Sequence, residues 1–440
     1  MRWISVALVS LVAVPALAAG AELVGHSDPV ASVGLSLVII LTAAKLGAEL
    51  ATRAGQPGVL GELIGGVILG NLTLVGFSGL EHVAVDPFID MLARIGAIIL
   101  LFEVGLESTV GQMLKVGLSS FVVALLGVVV PFALGWGVGA CLLPGESAYV
   151  HIFLGATLTA TSVGITARVL KDLGAAQSNE GRIILGAAVI DDVMGLVILA
   201  GVTGVIAAAD SGGMLSYADL GVTLTKAIGF LVGSVVLGVY LSPRLFFMAS
   251  QLQGRGVLLA LGLAFCFLLS WLADAVGLAS IVGAFAAGLI LEDVHYRDFV
   301  NRGERGLAEL IHPISSFLVP IFFVLMGMRT DLRSFLQSGV LGLAAALTVA
   351  AIVSKQACAL GVLGRGIDRL TVGIGMIPRG EVGLIFANIG LTLLVGGTRI
   401  VNQASFSAVV VMVIITTVVT PPALKWSLGR AARRGVAHSR

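Results

Sequence analysis

The sequence predicts an all-α polytopic membrane protein of about 13 transmembrane helices. Of its 440 residues, 58% are hydrophobic and 12% are charged, about half the charge of a soluble domain, which is roughly 25%. The apolar residues fall in blocks of about 20, the length that crosses a bilayer. The 58 glycines fit close packing of membrane helices. A net charge of +1 gives no reason to expect a nucleic-acid partner, whereas membrane lipid is an expected one.

Each predicted helix is an apolar block between clusters of turn-forming or charged residues. We expect the last one to end in a distorted turn at Pro421 and Pro422, because proline cannot donate a backbone hydrogen bond. The predicted helices are 29–51, 57–74, 88–109, 114–143, 149–171, 180–208, 219–247, 255–273, 277–292, 306–328, 337–362, 367–394 and 403–428.

The charges at the ends of these blocks predict the orientation. Residues 1–20 are predicted to be a signal peptide, with Arg2 before a short apolar run and small residues after it; an uncleaved extra helix is the alternative. With the mature N-terminus outside, seventeen arginines and lysines face the cytoplasm and three face outward. This bias predicts a multi-pass protein of the bacterial inner (plasma) membrane with a cytoplasmic C-terminus. The basic tail, 429–440, is then a topology anchor.

The helix count also predicts an internal repeat. Helix eight enters from the side opposite to helix one, so helices 1–6 and 8–13 can form two inverted six-helix repeats, with 219–247 as a linker helix. Helices five and twelve then correspond. Both carry polar interruptions, at 157–164 and 375–383. Matching interruptions in corresponding helices are typical of two broken, crossing helices around a substrate site near the bilayer midplane.

Asp191 and Asp192 lie near the middle of the sixth apolar block. Each carboxylate costs about 2.5–3.5 kcal/mol at that depth, so intramembrane acids are functional candidates. Adjacent helical side chains point about 100° apart, so one can face an ion pathway while the other meets a neighbouring helix. A carboxylate that binds either a proton or a hard cation has the minimum chemistry of exchange. The structural alternative is a buried ion pair that joins two helices.

Other polar residues are predicted to support this pair. Lys355 lies deep in helix eleven and needs a counter-charge, for which the aspartates are candidates; a purely structural lysine–aspartate pair is the alternative. Arg379 and Glu381 flank the interruption of helix twelve and are predicted to neutralise the ends of half-helices. Hydroxyls of helix five can satisfy freed backbone groups or offer oxygens to an ion. These are Thr159, Thr161 and Ser162.

No cofactor is expected from the sequence. Cys141, Cys266 and Cys358 lie singly in apolar segments, and the histidines show no spacing typical of a zinc site. The only metal expected is a transported monovalent cation at Asp192, with Asp191 beside it. Glu103 is a further polar residue in an apolar block, and the sequence suggests no partner for it.

These motifs resemble the bacterial monovalent cation:proton antiporter-2 family, and within it the NapA-type sodium/proton antiporters. The segments that carry the resemblance are 61–66, 101–107, 159–165, 190–193, Lys355 and 378–384. The resemblance implies the NhaA-like antiporter fold, a role in pH homeostasis, and a homodimer whose panel domain is 29–109 and 255–328. The ion-transporting core domain is then 114–208 and 337–428. It also implies that Asp192 is the main ion and proton ligand and that Asp191 pairs with Lys355.

Two departures from the family pattern are evident. Glu103 replaces an apolar residue expected in its motif. The potassium-efflux relatives append a nucleotide-binding domain, which is not expected here because the chain ends about 12 residues after its last predicted helix.

The function predicted from these features is electrogenic exchange of Na⁺, and also Li⁺, for protons by secondary active transport, with alternating access and with proton and cation competing at Asp192. Potassium/proton exchange on the same fold is the alternative within transport. An intramembrane aspartyl protease is a remote alternative, because its two aspartates lie on separate helices and here they are adjacent. The elbow and buried histidine of a serine intramembrane protease are missing from the sequence. A passive channel would not need two carboxylates beside a buried lysine. The protein is therefore not expected to be an enzyme.

Overall fold

The computed structural model describes most of the chain. The described residues are 29–106, 110–211, 217–252, 254, 256–276, 278–291, 299, 305–330, 332, 340–364, 366–380, 383, 386, 390, 393–395 and 398–433. The predicted signal peptide, Glu381 and the end of the basic tail lie outside these residues.

The described part of the chain is mostly helical. Apolar segments in a membrane form helices because a helix satisfies every backbone hydrogen bond within itself. The helices are α1 Pro29–Arg53, α2 Gly58–Gly70, α3 Glu81–Val85, α4 Pro87–Leu106, α5 Val110–Leu142, α6 Ala148–Thr159, α7 Val163–Asp172, α8 Asn179–Ser211, α9 Tyr217–Ser250, α10 Val257–Ala275, α11 Ser280–Ile290, α12 Leu307–Met328, α13 Val340–Gln356, α14 Arg369–Gly375 and α15 Gln403–Arg433. Short 3-10 helices cover Leu72–Val75 and Ala357–Gly361, and β1 (Leu394–Val395) pairs antiparallel with β2 (Thr398–Arg399).

The described residues include seven segments long and apolar enough to cross a membrane, taking the α6–α7 segment Ala148–Asp172 as one. A polytopic helical membrane protein is therefore confirmed, while thirteen spans and the inverted repeat stay predictions. One expectation is wrong. Helix α15 does not end at Pro421 and Pro422 but continues through them to Arg433. Membrane helices tolerate proline where neighbouring helices and hydroxyl side chains satisfy the freed carbonyls.

One compact unit of the chain comprises residues 1–99 and 313–332. Its helices meet at glycines. Gly47 of α1 faces Gly61 of α2, and a Cβ atom at either position would overlap the carbonyl group of the other. Gly66 of α2 and Gly327 of α12 form a similar contact. Small residues allow backbones to approach this closely, which fixes the helices of this unit against one another.

The second unit comprises residues 100–312 and 333–440. In it α5 packs against α6 and α8, and α13 packs against α15. This unit includes 100–109 and 255–312, which are predicted to belong to the panel domain. The panel and the core stay a prediction about which helices move. Buried apolar side chains of α6, α13 and α15 form its centre. They include Phe153, Leu154, Leu158, Leu347, Ala351 and Met412.

Candidate ion-binding site

The predicted helix 149–171 is interrupted in its middle. Helix α6 ends at Thr159 and α7 begins at Val163. Between them the backbone is extended, with φ −55° and ψ 132° at Ala160 and φ −90° and ψ 106° at Ser162. The linking residues are all buried. Backbone groups freed inside a membrane protein must find other partners, which makes the interruption a place where polar groups gather.

The second predicted interruption lies directly against the first. Helix α14 ends at Gly375, and 377–380 are not helical. The backbone N–H of Ser162 donates to the Pro378 carbonyl at 2.8 Å. The Thr166 hydroxyl donates to the Gly375 carbonyl at 2.7 Å. A Cβ atom at Gly380 would lie 2.5 Å from Ser162 Oγ, so only glycine allows this approach.

Lys355 joins four helices at this place. It lies in the last turn of α13 and is fully buried. Its ammonium group donates to the Gly127 carbonyl of α5 at 2.5 Å and to the Thr159 carbonyl at 3.2 Å. It also lies 3.4 Å from Asp191 Oδ1 of α8. Because Thr159 is the last residue of α6, its carbonyl has no partner within the helix, and the lysine supplies one.

The two adjacent aspartates differ in their surroundings. Asp191 is buried against Lys355, and the side chains of Thr161 and Arg379 lie close to its carboxylate. Asp192 follows it on α8 and is also buried, with 7% of its surface exposed. Its side chain leaves the helix about 100° away from that of Asp191. The lysine therefore binds one carboxylate of the pair, and the second points in another direction.

Arg379 fixes the end of α14. It is fully buried, and its Nη1 donates to the carbonyls of Met376 at 3.3 Å and Ile377 at 3.1 Å. The Thr417 hydroxyl of α15 donates to the Arg379 backbone carbonyl. The C-terminal end of a helix carries a partial negative charge, which this guanidinium group offsets.

The hydroxyls of the first interruption mostly serve their own helix. Thr157 donates to the Phe153 carbonyl at 2.9 Å, and Thr159 donates to the Ala156 carbonyl at 2.7 Å. Their oxygens keep lone pairs that can accept a hydrogen bond or contact a cation. Thr161 and Ser162 are buried in the extended link beside Asp191 and Pro378.

Two residues near Lys355 were not predicted. Gly127 supplies a carbonyl from the middle of α5, and a Cβ atom there would lie 3.2 Å from Lys355 Nζ and 3.1 Å from Cys358 Sγ. Cys358 lies in the 3-10 turn after α13. A glycine in an apolar helix carries no sequence signal, because its role here depends on a backbone carbonyl. Within the described residues, no cluster of three or more histidine, cysteine or acidic side chains is arranged to hold a metal.

Comparison with known proteins gives a consistent result. The model of the transmembrane sodium/hydrogen exchanger family matches residues 6–429. The chain is 38% identical to the high-affinity Na⁺/H⁺ antiporter NhaS3 of Synechocystis sp., over 90% of this chain and 89% of the relative. It is 32% identical to the Na⁺/H⁺-K⁺ antiporter GerN of Bacillus cereus, over 89% and 95% of the two chains.

A solved structure shares the fold. The sodium proton antiporter MjNhaP1 of Methanocaldococcus jannaschii aligns over 92% of this chain and 98% of its own, with a TM-score of 0.65 and 16% identity. That likeness indicates the antiporter fold. The family model and the relatives above 30% identity establish the family, and they confirm the predicted resemblance to sodium/proton antiporters. The chain belongs to the sodium/hydrogen exchanger family of multi-pass membrane transporters, and it is not an enzyme.

Proposed function

We propose that the protein exchanges Na⁺, and also Li⁺, for protons, with Asp192 as the group at which cation and proton compete. The observation that carries this proposal is the meeting of two helix interruptions beside a buried aspartate pair, in which Lys355 lies 3.4 Å from Asp191 and the two carboxylates leave the helix about 100° apart. Asp192 is a buried carboxylate near the middle of an apolar helix, a position typical of residues on an ion pathway. Carboxylate, hydroxyl and carbonyl oxygens are the ligands that hard cations prefer.

The charges around the interruptions support a role in cation binding. Lys355 donates to the carbonyl at the end of α6, and Arg379 donates to carbonyls at the end of α14. In the conformation described here, both negative half-helix ends are thereby offset by cationic side chains. In this proposal the Asp192 carboxylate is the group that loses a proton when a cation arrives.

We further propose that exchange is electrogenic. A single carboxylate that alternates between one proton and one monovalent cation moves no net charge. If cation binding at Asp192 separates Asp191 from Lys355, the desolvated lysine gives up its proton, because burial disfavours an unpaired ammonium ion. Two protons then leave for each cation bound, and one net charge crosses per cycle.

The wider architecture belongs to the same proposal. It has thirteen helices in two inverted repeats, a core of 114–208 and 337–428 that moves against a panel of 29–109 and 255–328, and a linker at 219–247. Two copies form a homodimer in the bacterial inner membrane with the C-terminus in the cytoplasm, where exchange serves pH homeostasis. No resident cofactor is needed, since the transported ion is substrate. The contact between the two interruptions supports this arrangement, because such crossings accompany inverted repeats in secondary transporters.

Potassium/proton exchange is the second candidate. It is favoured by the 32% identity to the Bacillus cereus relative, whose name includes K⁺. The site offers oxygen ligands that suit either ion.

Proteoliposomes separate these candidates. The purified protein is reconstituted with an acidic lumen, and Na⁺, Li⁺ or K⁺ is added outside while a pH-sensitive dye reports the luminal pH. We expect Na⁺ and Li⁺ to dissipate the pH gradient. Dissipation by K⁺ alone would establish the second candidate, and no response to any of the three cations would contradict both.

A further inference from the structure

Glu103 is a buried carboxylate that is far in the sequence from the residues of the candidate ion site. It lies in the last turn of α4 and is nearly inaccessible to solvent. A buried charge is costly unless another charge pairs with it, and removing one partner of such a pair leaves the other uncompensated. The partners of Glu103 therefore decide what it does.

Lys171 is the main partner. Its ammonium group forms an ion pair with Glu103 Oε2, with 19% of the lysine side chain and 5% of the glutamate side chain exposed. The neighbouring acid on the same helix, Asp172, is bound instead by Arg168 at 2.9 Å. His312 Nδ1 lies 3.3 Å from Glu103 Oε1, but this side chain is 66% exposed. The contact with Lys171 is thus the close and well-buried one.

The position of Lys171 connects this ion pair to the helix interruption at 160–162. Lys171 is in the last turn of α7, the helix that follows the interruption at 160–162. A short helix is rigid, so any displacement of α7 at the interruption also displaces Lys171. Glu103, by contrast, is on a part of α4 held closely by α11, where a Cβ atom at Gly105 would come 3.0 Å from the Gly288 Cα.

We propose that the Glu103–Lys171 ion pair is a positioning contact for exchange, which holds α7 in the conformation described here. The contact breaks when α7 moves and the ion site opens to the other side of the membrane. This inference rests on the proposed alternating-access exchange. It assigns to both residues a role in setting how the protein divides its time between the two conformations.

The test is the Na⁺ concentration that gives half-maximal exchange, measured separately at each face of the membrane. The apparent affinity for an ion falls with the fraction of protein in the state that binds it. In Glu103→Gln we expect half-saturation to rise about fivefold at one face and to fall at the other, a change equivalent to about 1 kcal/mol in the balance between the two conformations. Right-side-out and inside-out vesicles give the two values.

Three further variants show whether the shifts come from loss of the Glu103–Lys171 ion pair. Lys171→Gln should shift both values in the same directions, and the double variant should do no more than either single one. Glu49→Gln removes a pair with Arg53 on α1 whose side chains are 57% and 66% exposed, and it should change neither value. Unchanged half-saturation at both faces in a folded Glu103→Gln protein would overturn the inference. A purely structural pair would instead lower the maximal rate and the melting temperature without opposite shifts, and that result would also overturn it.

The proposed function is checked in the same vesicles. Wild-type protein that exchanges Na⁺ for protons while Glu103→Gln behaves identically would contradict only the positioning role. Wild-type protein without exchange would contradict the proposed function, and the positioning role with it.

Discussion

The backbone N–H of Ser162 donates to the carbonyl of Pro378 at 2.8 Å, across 216 positions of the chain. Each residue lies where a helix is interrupted, and each supplies the partner that the other lacks inside its own helix. Lys355 and Arg379 add their cations at the ends of α6 and α14. Two locally unfavourable segments thereby become one polar region beside Asp191.

The first prediction concerns Asp192. Asp192→Asn should abolish cation:proton exchange in proteoliposomes while the protein stays folded, because a neutral amide cannot exchange a proton for a cation. Asp274→Asn, the same change at an exposed position at the end of α10, should exchange at the wild-type rate. Near-wild-type exchange by purified Asp192→Asn would rule out the assigned role.

The second prediction concerns electrogenicity. Exchange should depend on the membrane potential in proteoliposomes clamped with potassium and valinomycin, with Na⁺ as the driven ion. Lys355→Gln has no lysine proton to release, so it cannot supply the second proton of each cycle. Its exchange should become very slow or indifferent to the membrane potential. Wild-type rates and reversal points that ignore the imposed potential would mean one-for-one exchange, and the Asp191–Lys355 pair would then be structural.

The third prediction concerns stability. Lys355→Gln leaves Asp191 buried without its cation, which typically costs about 3–5 kcal/mol of the free energy of unfolding. Asp191→Asn combined with Lys355→Gln removes both charges and should recover most of that loss. Thermal unfolding of the detergent-solubilised proteins gives their order of stability. A double variant less stable than Lys355→Gln would show that the charges do not compensate each other.

The fourth prediction uses two glycines of α5. In Gly127→Ala the new methyl group would lie 3.2 Å from Lys355 Nζ and 3.6 Å from Asp191 Oδ1, so it should displace the lysine and slow exchange. Gly137 has open space at the same atom, and Gly137→Ala should preserve exchange. Helix propensity favours both changes by about 1 kcal/mol. Equal exchange rates in the two variants would show that this lysine position does not matter.

The fifth prediction concerns pH and Asp368, which directly precedes α14 and lies outside the seven described segments that are long and apolar enough to cross a membrane. Partial burial raises the pKa of Asp368, but the Thr371 hydroxyl and the Arg430 guanidinium group, both hydrogen-bonded to its carboxylate, lower it more. The pKa therefore lies below its ordinary value of 3.8. A carboxyl whose pKa is lower in the folded state stabilises the protein above its unfolded pKa and stops doing so as the pH falls through the folded pKa.

Asp368→Asn should consequently melt at a lower temperature than wild type at neutral pH. The difference should shrink as the pH falls below about 4. Melting curves in detergent at several pH values measure it. Glu81→Gln, at an exposed position in the first turn of α3, should follow the wild-type curve. A difference that persists unchanged into acid would mean that the ionised carboxylate is not the source.

The membrane-spanning class, the family and the short set of candidate residues follow from the amino-acid sequence alone. Apolar blocks predict helices because a bilayer leaves the backbone no other partners. A doublet such as Asp191 and Asp192 inside such a block is visible because a buried charge is costly. The interruption at 160–162 was predictable for the same reason, since its polar run breaks the apolar pattern.

Which of these residues meet depends on how the helices pack. This packing brings Lys355 to Asp191, to the Thr159 carbonyl and to the Gly127 carbonyl, contacts made by atoms on four separate helices. It also gives Glu103 its partner, Lys171, although the two are 68 positions apart. Composition and spacing report the cost of placing a polar group in a membrane. The identity of the group that offsets this cost depends on helix packing, and a backbone carbonyl such as that of Gly127 leaves no trace in the side-chain sequence.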